Sequence, residues 1–163
     1  MPDQRNTKHI TGEIKQHDVT IMANVPTIYQ MLLDDPAFKA LDFSNLKICV
    51  SGAAPFSVEA IRALESVVGA GKILEVYGMT EASPLLTMNP FYGEKKAGSV
   101  GVPIQKTMIR LVDIETGTEA VGANAEGEII AAGPQIMKGY HNKPDETAQA
   151  LKPFDGETYF YTG

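Results

Sequence analysis

At 163 residues, 44% hydrophobic and 21% charged, the chain has the size and composition of one globular domain or of two small subdomains sharing a core. Its net charge of −6 excludes the clustered Lys/Arg surface that nucleic acid requires, and its short apolar runs, such as 46–50, exclude a transmembrane segment. One cysteine, Cys49, excludes an internal disulfide framework; with no secretory leader pattern at either end, the expected location is the cytoplasm.

In chain order, residues from Thr7 to His17 read as a polar surface helix carrying Ile10 and Ile14, and Val19 to Ala23 as a short strand. Pro26 suits a first helical turn, where its missing N–H costs nothing, and Ile28, Met31 and Leu32 follow at helical spacing. Leu46 to Val50 is the clearest buried strand and ends in the small-residue loop Ser51-Gly52-Ala53-Ala54-Pro55. Ser57 is placed to cap a helix with Ile61, Leu64 and Val68 on one face, closed by Gly69 and Gly71. Lys72 to Val76 is a further strand, leading into Tyr77-Gly78-Met79-Thr80-Glu81. The predicted fold class is therefore α/β, a mostly parallel sheet with flanking helices over residues 1–97. From residue 98 the pattern changes to short strands, at Val100–Pro103, Met108–Asp113, Glu128–Ala132 and Thr158–Tyr161, with one helix from Pro144 to Leu151. Residues 98–163 accordingly read as a small antiparallel β subdomain.

Two loops carry the chemistry, 51–55 and 77–81, each directly after a predicted parallel strand. In open α/β sheets ligands bind beyond the carboxyl ends of the strands, so two such loops can wall one crevice. Gly52, Ala53 and Ala54 have almost no side chain and leave room for a planar ring against the backbone. Tyr77 can stack on such a ring, and Gly78 permits a sharp turn. Thr80 offers a hydroxyl to a phosphate oxygen and Glu81 a hard carboxylate for Mg²⁺. Each feature also has a plainer reading: an ordinary small-residue loop, a Tyr-Gly turn with a half-buried ring, a Thr-Glu helix start. His9, His17 and His141 lack metal-ligand spacing, Cys49 lies in an apolar strand, and the pairs Asp34-Asp35 and Lys95-Lys96 read as solvated. Met79 and Met88 suit an acyl chain or routine core filling equally.

Tyr77-Gly78-Met79-Thr80-Glu81 resembles the Tyr-Gly-x-Thr-Glu signature of the adenylate-forming (AMP-binding) superfamily, and other segments follow in the family's order. Val25-Pro26-Thr27 resembles the stretch before the adenine loop, and Ser51-Gly52-Ala53-Ala54-Pro55 that loop itself. Gly98 to Pro103 resembles the turn into the β subdomain. Gly127 to Ile130, then Gly133 to Tyr140 with Asn142, Pro144 and Thr147, resemble the next block. Phe160-Tyr161-Thr162-Gly163 is similar to the start of an aromatic-x-Thr-Gly-Asp motif. Ordered motifs along nearly the whole chain are far more specific than any one alone.

The resemblance implies a part of an ATP-dependent acyl-CoA synthetase. Gly52, Ala53, Ala54 and Pro55 would line the adenine of ATP or AMP, and Tyr77 would stack on it. Thr80 would bond the α-phosphate and Glu81 would hold Mg²⁺, the two acting as catalytic residues. Gly78 and Met79 would border the carboxylate being activated, and Leu85 would face the acyl pocket. Coenzyme A would accept the acyl group. Met79 between Gly78 and Thr80, and the block 137–151, are similar to fatty-acyl and aryl ligases, which makes a medium- or long-chain fatty acid the first expectation for the acid. No segment resembles the family's phosphate loop with its lysine, and the sequence stops one residue before the motif's aspartate. The expectations that follow are an internal fragment of the large domain, no adenylation by this chain alone, and self-association through strand edges. A non-catalytic nucleotide-binding or interaction module, or a ligase for an aryl or amino acid, are the alternatives.

Overall fold

The computed structural model describes residues 5–118 and 120–163. Among the described residues, strands β1 (Ile21–Asn24), β2 (Ile48–Ser51), β3 (Ile73–Gly78), β4 (Leu85–Met88) and β5 (Val102–Pro103) form one sheet in that order. The pairs β1–β2 and β2–β3 are parallel. Strands β6 (Met108–Val112), β7 (Glu128–Ala132), β8 (Leu151–Phe154) and β9 (Glu157–Tyr161) form a second sheet, ordered β6-β7-β9-β8 and antiparallel throughout. The expected fold class, a mostly parallel α/β sheet followed by a small antiparallel β part, is the one observed. The described chain groups into two compact units, the first running through Tyr77 and including Thr87–Val102, the second comprising Gly78–Leu86 and Pro103–Gly163.

In the first unit, helices α1 (Thr7–Gln16), α2 (Pro26–Leu33), α3 (Pro36–Lys39) and α4 (Val58–Val68) accompany the strands. Asn6 caps α1, accepting a hydrogen bond from His9 N at 3.1 Å, and Pro26 opens α2 at its first turn. The spacing on α4 buries Ile61, Leu64 and Val68, and Gly69 ends the helix with φ 112°. These residues share a core with Tyr29, Leu32, Phe38 and Cys49. Burial pushes the Cys49 thiol up to about 11, so it packs as a small apolar group rather than serving as a nucleophile. Tyr29 is fully buried, yet its hydroxyl donates to the carbonyls of Met22 (3.1 Å) and Val50 (3.0 Å), which removes the cost of placing a phenol in a core.

The second unit has its own core of Val112, Ile130, Ala132, Tyr159 and Tyr161, with Phe154 packed against it. The Tyr161 hydroxyl donates to the Gly117 carbonyl at 2.8 Å, tying β9 to the turn after β6. Helix α5 (Pro144–Ala150) precedes β8 and buries none of its residues. Helix α3 is an unexpected element. It is a single turn begun by Asp35, whose carboxylate accepts from Ala37 N at 2.9 Å, and four residues are too few to show a helical period. Tyr77 and Gly78, expected in a loop, instead complete β3.

Candidate functional site

In the first unit, β2 and β3 are parallel neighbours with Ser51 opposite Glu75 in the register. Both strands run toward the same end of the sheet, where an open sheet offers ligands its edge, and β3 continues three residues past the end of β2 to Gly78. Gly52 follows β2 at once, and a Cβ there would stand 2.7 Å from Val76 Cγ2 and 3.2 Å from the Val76 carbonyl oxygen. Only glycine lets the loop pass so close to β3. Ala53 takes a left-handed φ of 66°, and Ala53, Ala54 and Pro55 are exposed. Phe56 then turns back into the core, stacked on Tyr29 with ring centroids 6.0 Å apart and planes 11° from parallel. The loop is thus fixed at both ends while its middle presents bare backbone to solvent. Tyr77 is half-buried, two residues beyond Glu75 on the neighbouring strand. The Ser51 hydroxyl is buried with no hydrogen-bond partner among the described residues.

Beyond the residues singled out in sequence, three buried polar side chains of the same unit hold the segment 98–100. Glu75 accepts from Gly98 N at 2.9 Å, Asn89 Nδ2 donates to the Ser99 carbonyl at 2.6 Å, and Thr87 Oγ1 donates to the Val100 carbonyl at 2.8 Å. Burial holds the Glu75 carboxyl above the usual carboxylate range, with the Gly98 N–H opposing it. Each partner lies at least ten residues away in sequence, and no local pattern signals the pairing.

In the second unit, Gly78 lies so near the carbonyl of Pro84 that no side chain could be accommodated. Met79 is extended (φ −156°) and leads into a single 3₁₀ turn, Thr80–Ala82. The Thr80 side chain is exposed, Glu81 and Leu85 are half-buried, and Ala82 is buried. The turn makes Thr-Glu a short helix start as well as a candidate ligand pair.

Glu81 is held twice by the segment after β7. Its carbonyl accepts from Met137 N at 2.7 Å, and its Oε1 accepts from the Tyr140 hydroxyl at 2.9 Å. That bond to a carboxylate, followed by burial and by the Glu81 charge, raises the Tyr140 phenol above its usual range. Tyr140 N in turn donates to Thr147 Oγ1 at 2.9 Å, and Thr147 Oγ1 donates to the Lys143 carbonyl at 2.7 Å. No group of three or more His, Cys, Asp or Glu side chains able to hold a metal occurs among the described residues. A single carboxylate nevertheless fits Mg²⁺, which takes one or two carboxylates and completes its shell with substrate phosphates and water. No helix of the described residues is long and apolar enough to cross a membrane.

A sequence profile described as "AMP-binding enzyme" matches residues 1–141. The long-chain-fatty-acid–CoA ligase of Bacillus subtilis (strain 168) is 43% identical over 150 residues, 92% of this chain and 26% of the relative. The 4-coumarate–CoA ligase 2 of Oryza sativa subsp. japonica is 38% identical over 93% of the chain and 27% of its own length. Among solved structures, ATP-bound MatB from Rhodopseudomonas palustris superposes with a TM-score of 0.84 at 29% identity, covering 97% of this chain and 30% of that one. The chain spans about a quarter of the length of these curated relatives, 26% and 27%. With the family profile covering most of the sequence, this chain belongs to the AMP-binding enzyme family, whose acid–CoA ligases are its relatives.

Proposed function

We propose that this chain forms the adenine- and phosphate-binding part of an ATP-dependent acid–CoA ligase of the AMP-forming type, acting in the cytoplasm. The observation that carries the reading is the pair of adjacent parallel strands β2 and β3, with the loop 52–55 starting at Gly52 close against Val76 and Tyr77 next to last on the neighbouring strand. That edge suits a planar, uncharged ring that needs backbone groups on its rim and an aromatic face above it. Gly52, Ala53, Ala54 and Pro55 line the adenine, and Tyr77 stacks on it. Thr80 offers its exposed hydroxyl to the α-phosphate, and Gly78 and Met79 border the acid.

In the reaction, a carboxylate oxygen attacks the α-phosphorus in line and pyrophosphate leaves. The acyl-adenylate is then attacked by the thiol of coenzyme A, and AMP departs. Negative charge grows on the phosphate oxygens in the first step, so fixed donors such as Thr80 lower its barrier more than they tighten substrate binding. Glu81 would hold Mg²⁺, which supplies neutralisation of that charge when bound.

A fatty acid is the preferred substrate class, supported by the fatty-acid ligase relative at 43% identity. The 4-coumarate ligase relative at 38% supports an aryl acid as the second reading. A panel of fatty and aryl acids, assayed on a protein that carries these residues and adenylates, decides between them. The 163-residue chain by itself is proposed to lack adenylation activity. A carboxylate-dependent ATP–pyrophosphate exchange signal from the purified chain would overturn that statement.

The direct test is titration of AMP into the chain, followed by calorimetry or NMR, with Tyr77→Ala beside it. The expected outcome is saturable binding that weakens about tenfold or more in the variant, the size of one lost base–aromatic stack. Binding equal in the two proteins would remove Tyr77 from the site. Absence of binding in a folded sample would overturn the claim that the two loops make an adenine half-site.

A further inference from the structure

We infer that Tyr140 is a positioning residue for the Glu81 carboxylate, fixing the orientation in which that carboxylate meets the metal; this rests on the proposed metal-binding role of Glu81. The inference starts from a contact that sequence spacing does not show. Fifty-nine positions separate Tyr140 from Glu81, yet the phenol donates to Glu81 Oε1 at 2.9 Å.

A glutamate has three side-chain torsions. At a half-buried position without a fixed partner, its carboxylate samples several rotamers, and ordering them on metal binding costs free energy. A donor on one oxygen removes that freedom in advance and leaves the second oxygen for the cation. Because the acceptor is charged, the bond is of the stronger class.

The donor is itself fixed at both ends of its residue. Its main-chain N–H is bonded to Thr147 Oγ1 at 2.9 Å, and the hydroxyl of Thr147 is bonded to the Lys143 carbonyl at 2.7 Å. Next to it, Gly139 has φ 147°, and a Cβ there would meet Thr147 Cγ2 at 2.8 Å, so residues 139–140 sit hard against Thr147. Three residues earlier, Met137 N bonds the Glu81 carbonyl at 2.7 Å. Main chain and side chain of Glu81 are thus both held by one short segment, anchored in turn through Thr147 at α5. A purely structural tie needs only the backbone bond. The second, to the one charged group in the Thr80–Ala82 turn, is what a metal ligand requires of its outer partners.

The test compares the wild-type chain with Tyr140→Phe, which removes one hydroxyl and keeps the ring, and with Glu81→Gln. Mn²⁺ is the metal probe, titrated in the presence of ATP and followed by water-proton relaxation enhancement, which separates protein-bound Mn–ATP from Mn–ATP in solution. Glu81 Cδ is followed by carbonyl ¹³C NMR without metal or nucleotide. Tyr140→Phe is expected to weaken Mn²⁺ binding about tenfold or more, the usual effect of losing an outer-shell partner. It is also expected to shift and broaden the Glu81 Cδ resonance while leaving the melting curve close to wild type.

If Glu81→Gln loses Mn²⁺ binding and Tyr140→Phe does not, Glu81 keeps its metal role and the inference about Tyr140 is overturned. If Glu81→Gln has no effect, or the wild-type chain takes up no Mn²⁺ with ATP, the metal reading itself fails. In that event the Glu81 Cδ resonance still decides on Tyr140, since an unchanged resonance in Tyr140→Phe refutes the positioning. A Tyr140→Phe chain that fails to fold would be replaced by Thr147→Val. That variant frees the Tyr140 N–H without touching the phenol, and it must perturb the same Glu81 resonance for the inference to stand.

Discussion

Glu75 is the residue whose chemistry is most at odds with its surroundings. It lies on β3 in the interior of the first unit, 9% exposed, and its carboxylate has the Gly98 N–H as partner at 2.9 Å. Burial outweighs that donor and leaves the folded-state pKa above the unfolded one. The proton is therefore bound more tightly in the folded chain. The associated stability is present below the unfolded pKa of the group and is lost as pH rises through the folded one. At neutral pH the charged form is a cost to the fold. Glu75→Gln retains an acceptor for Gly98 and removes the charge. It is expected to melt at a higher temperature than wild type near about pH 7, with the difference shrinking toward about pH 4. Thermal melts of both proteins at the two pH values check this; a glutamine variant that is less stable at neutral pH refutes it. The role of Glu75 was invisible in the sequence, because a glutamate after Ile73 and Leu74 reads as the solvent side of a strand. Gly52 and Gly78 were legible as motif glycines, but not what each accommodates, namely Val76 for the first and the Pro84 carbonyl for the second. The Glu81–Tyr140 pair was illegible for a similar reason: both residues stood in recognised motifs, and only the fold brings their side chains together.

At the scale of elements, helix α4 is almost completely legible in the sequence. Ser57 opens it, Ile61, Leu64 and Val68 form its buried stripe, and Gly69 closes it. Its cap is a single bond, Ala60 N to Ser57 Oγ at 3.2 Å, and without it one amide of the first turn has no protein partner. Ser57→Ala is expected to destabilise the first unit by about 1 kcal/mol, while Ser57→Asp, which restores an acceptor at the helix N-terminus, should recover most of it. Urea unfolding of the three proteins measures both effects, and an alanine variant as stable as wild type contradicts the assignment. The strands that sequence missed have physical reasons for being missed. In β8, Leu-Lys-Pro-Phe, a proline argues against a strand, yet β8 is the outer strand of its sheet, where a missing N–H is tolerated. β4, Leu-Leu-Thr-Met, is four residues long and directly follows Ser83-Pro84, so it carries neither alternation nor a turn signal distinct from the motif before it.

The division of the whole molecule is discontinuous in sequence, which sets a limit on how it can be cut. Residues 78–86 belong with 103–163 rather than with their immediate neighbours in the chain. The reason lies in backbone accounting. Ile104 N bonds the Leu86 carbonyl at 3.0 Å and Met137 N the Glu81 carbonyl at 2.7 Å. Gln135 Nε2 adds the Leu85 carbonyl at 3.2 Å while also bonding Thr107 Oγ1 at 2.7 Å. A polypeptide of 103–163 would keep β6 to β9 and their core but would leave the Ile104 and Met137 amides without these acceptors and Gln135 Nε2 with Thr107 alone. The segment 133–140 would then lack the backbone it is laid against. The core of that unit is small, and domains of this size have little stability to spare. A polypeptide of 78–163 is therefore expected to melt cooperatively at a higher temperature than 103–163. It should also protect the Met137 amide from hydrogen exchange, whereas in 103–163 that amide exchanges freely. Equal melting temperatures, or equal protection of Met137 in both, would show that residues 78–86 contribute nothing to the second unit. The same comparison bears on the site, because the Thr80–Ala82 turn that carries Glu81 lies inside the segment being removed or kept. If 78–163 is the smallest piece in which Met137 is protected, the support for the Glu81 carboxylate and the stability of this unit have one origin. Any change that loosens the 133–140 segment must then weaken both together.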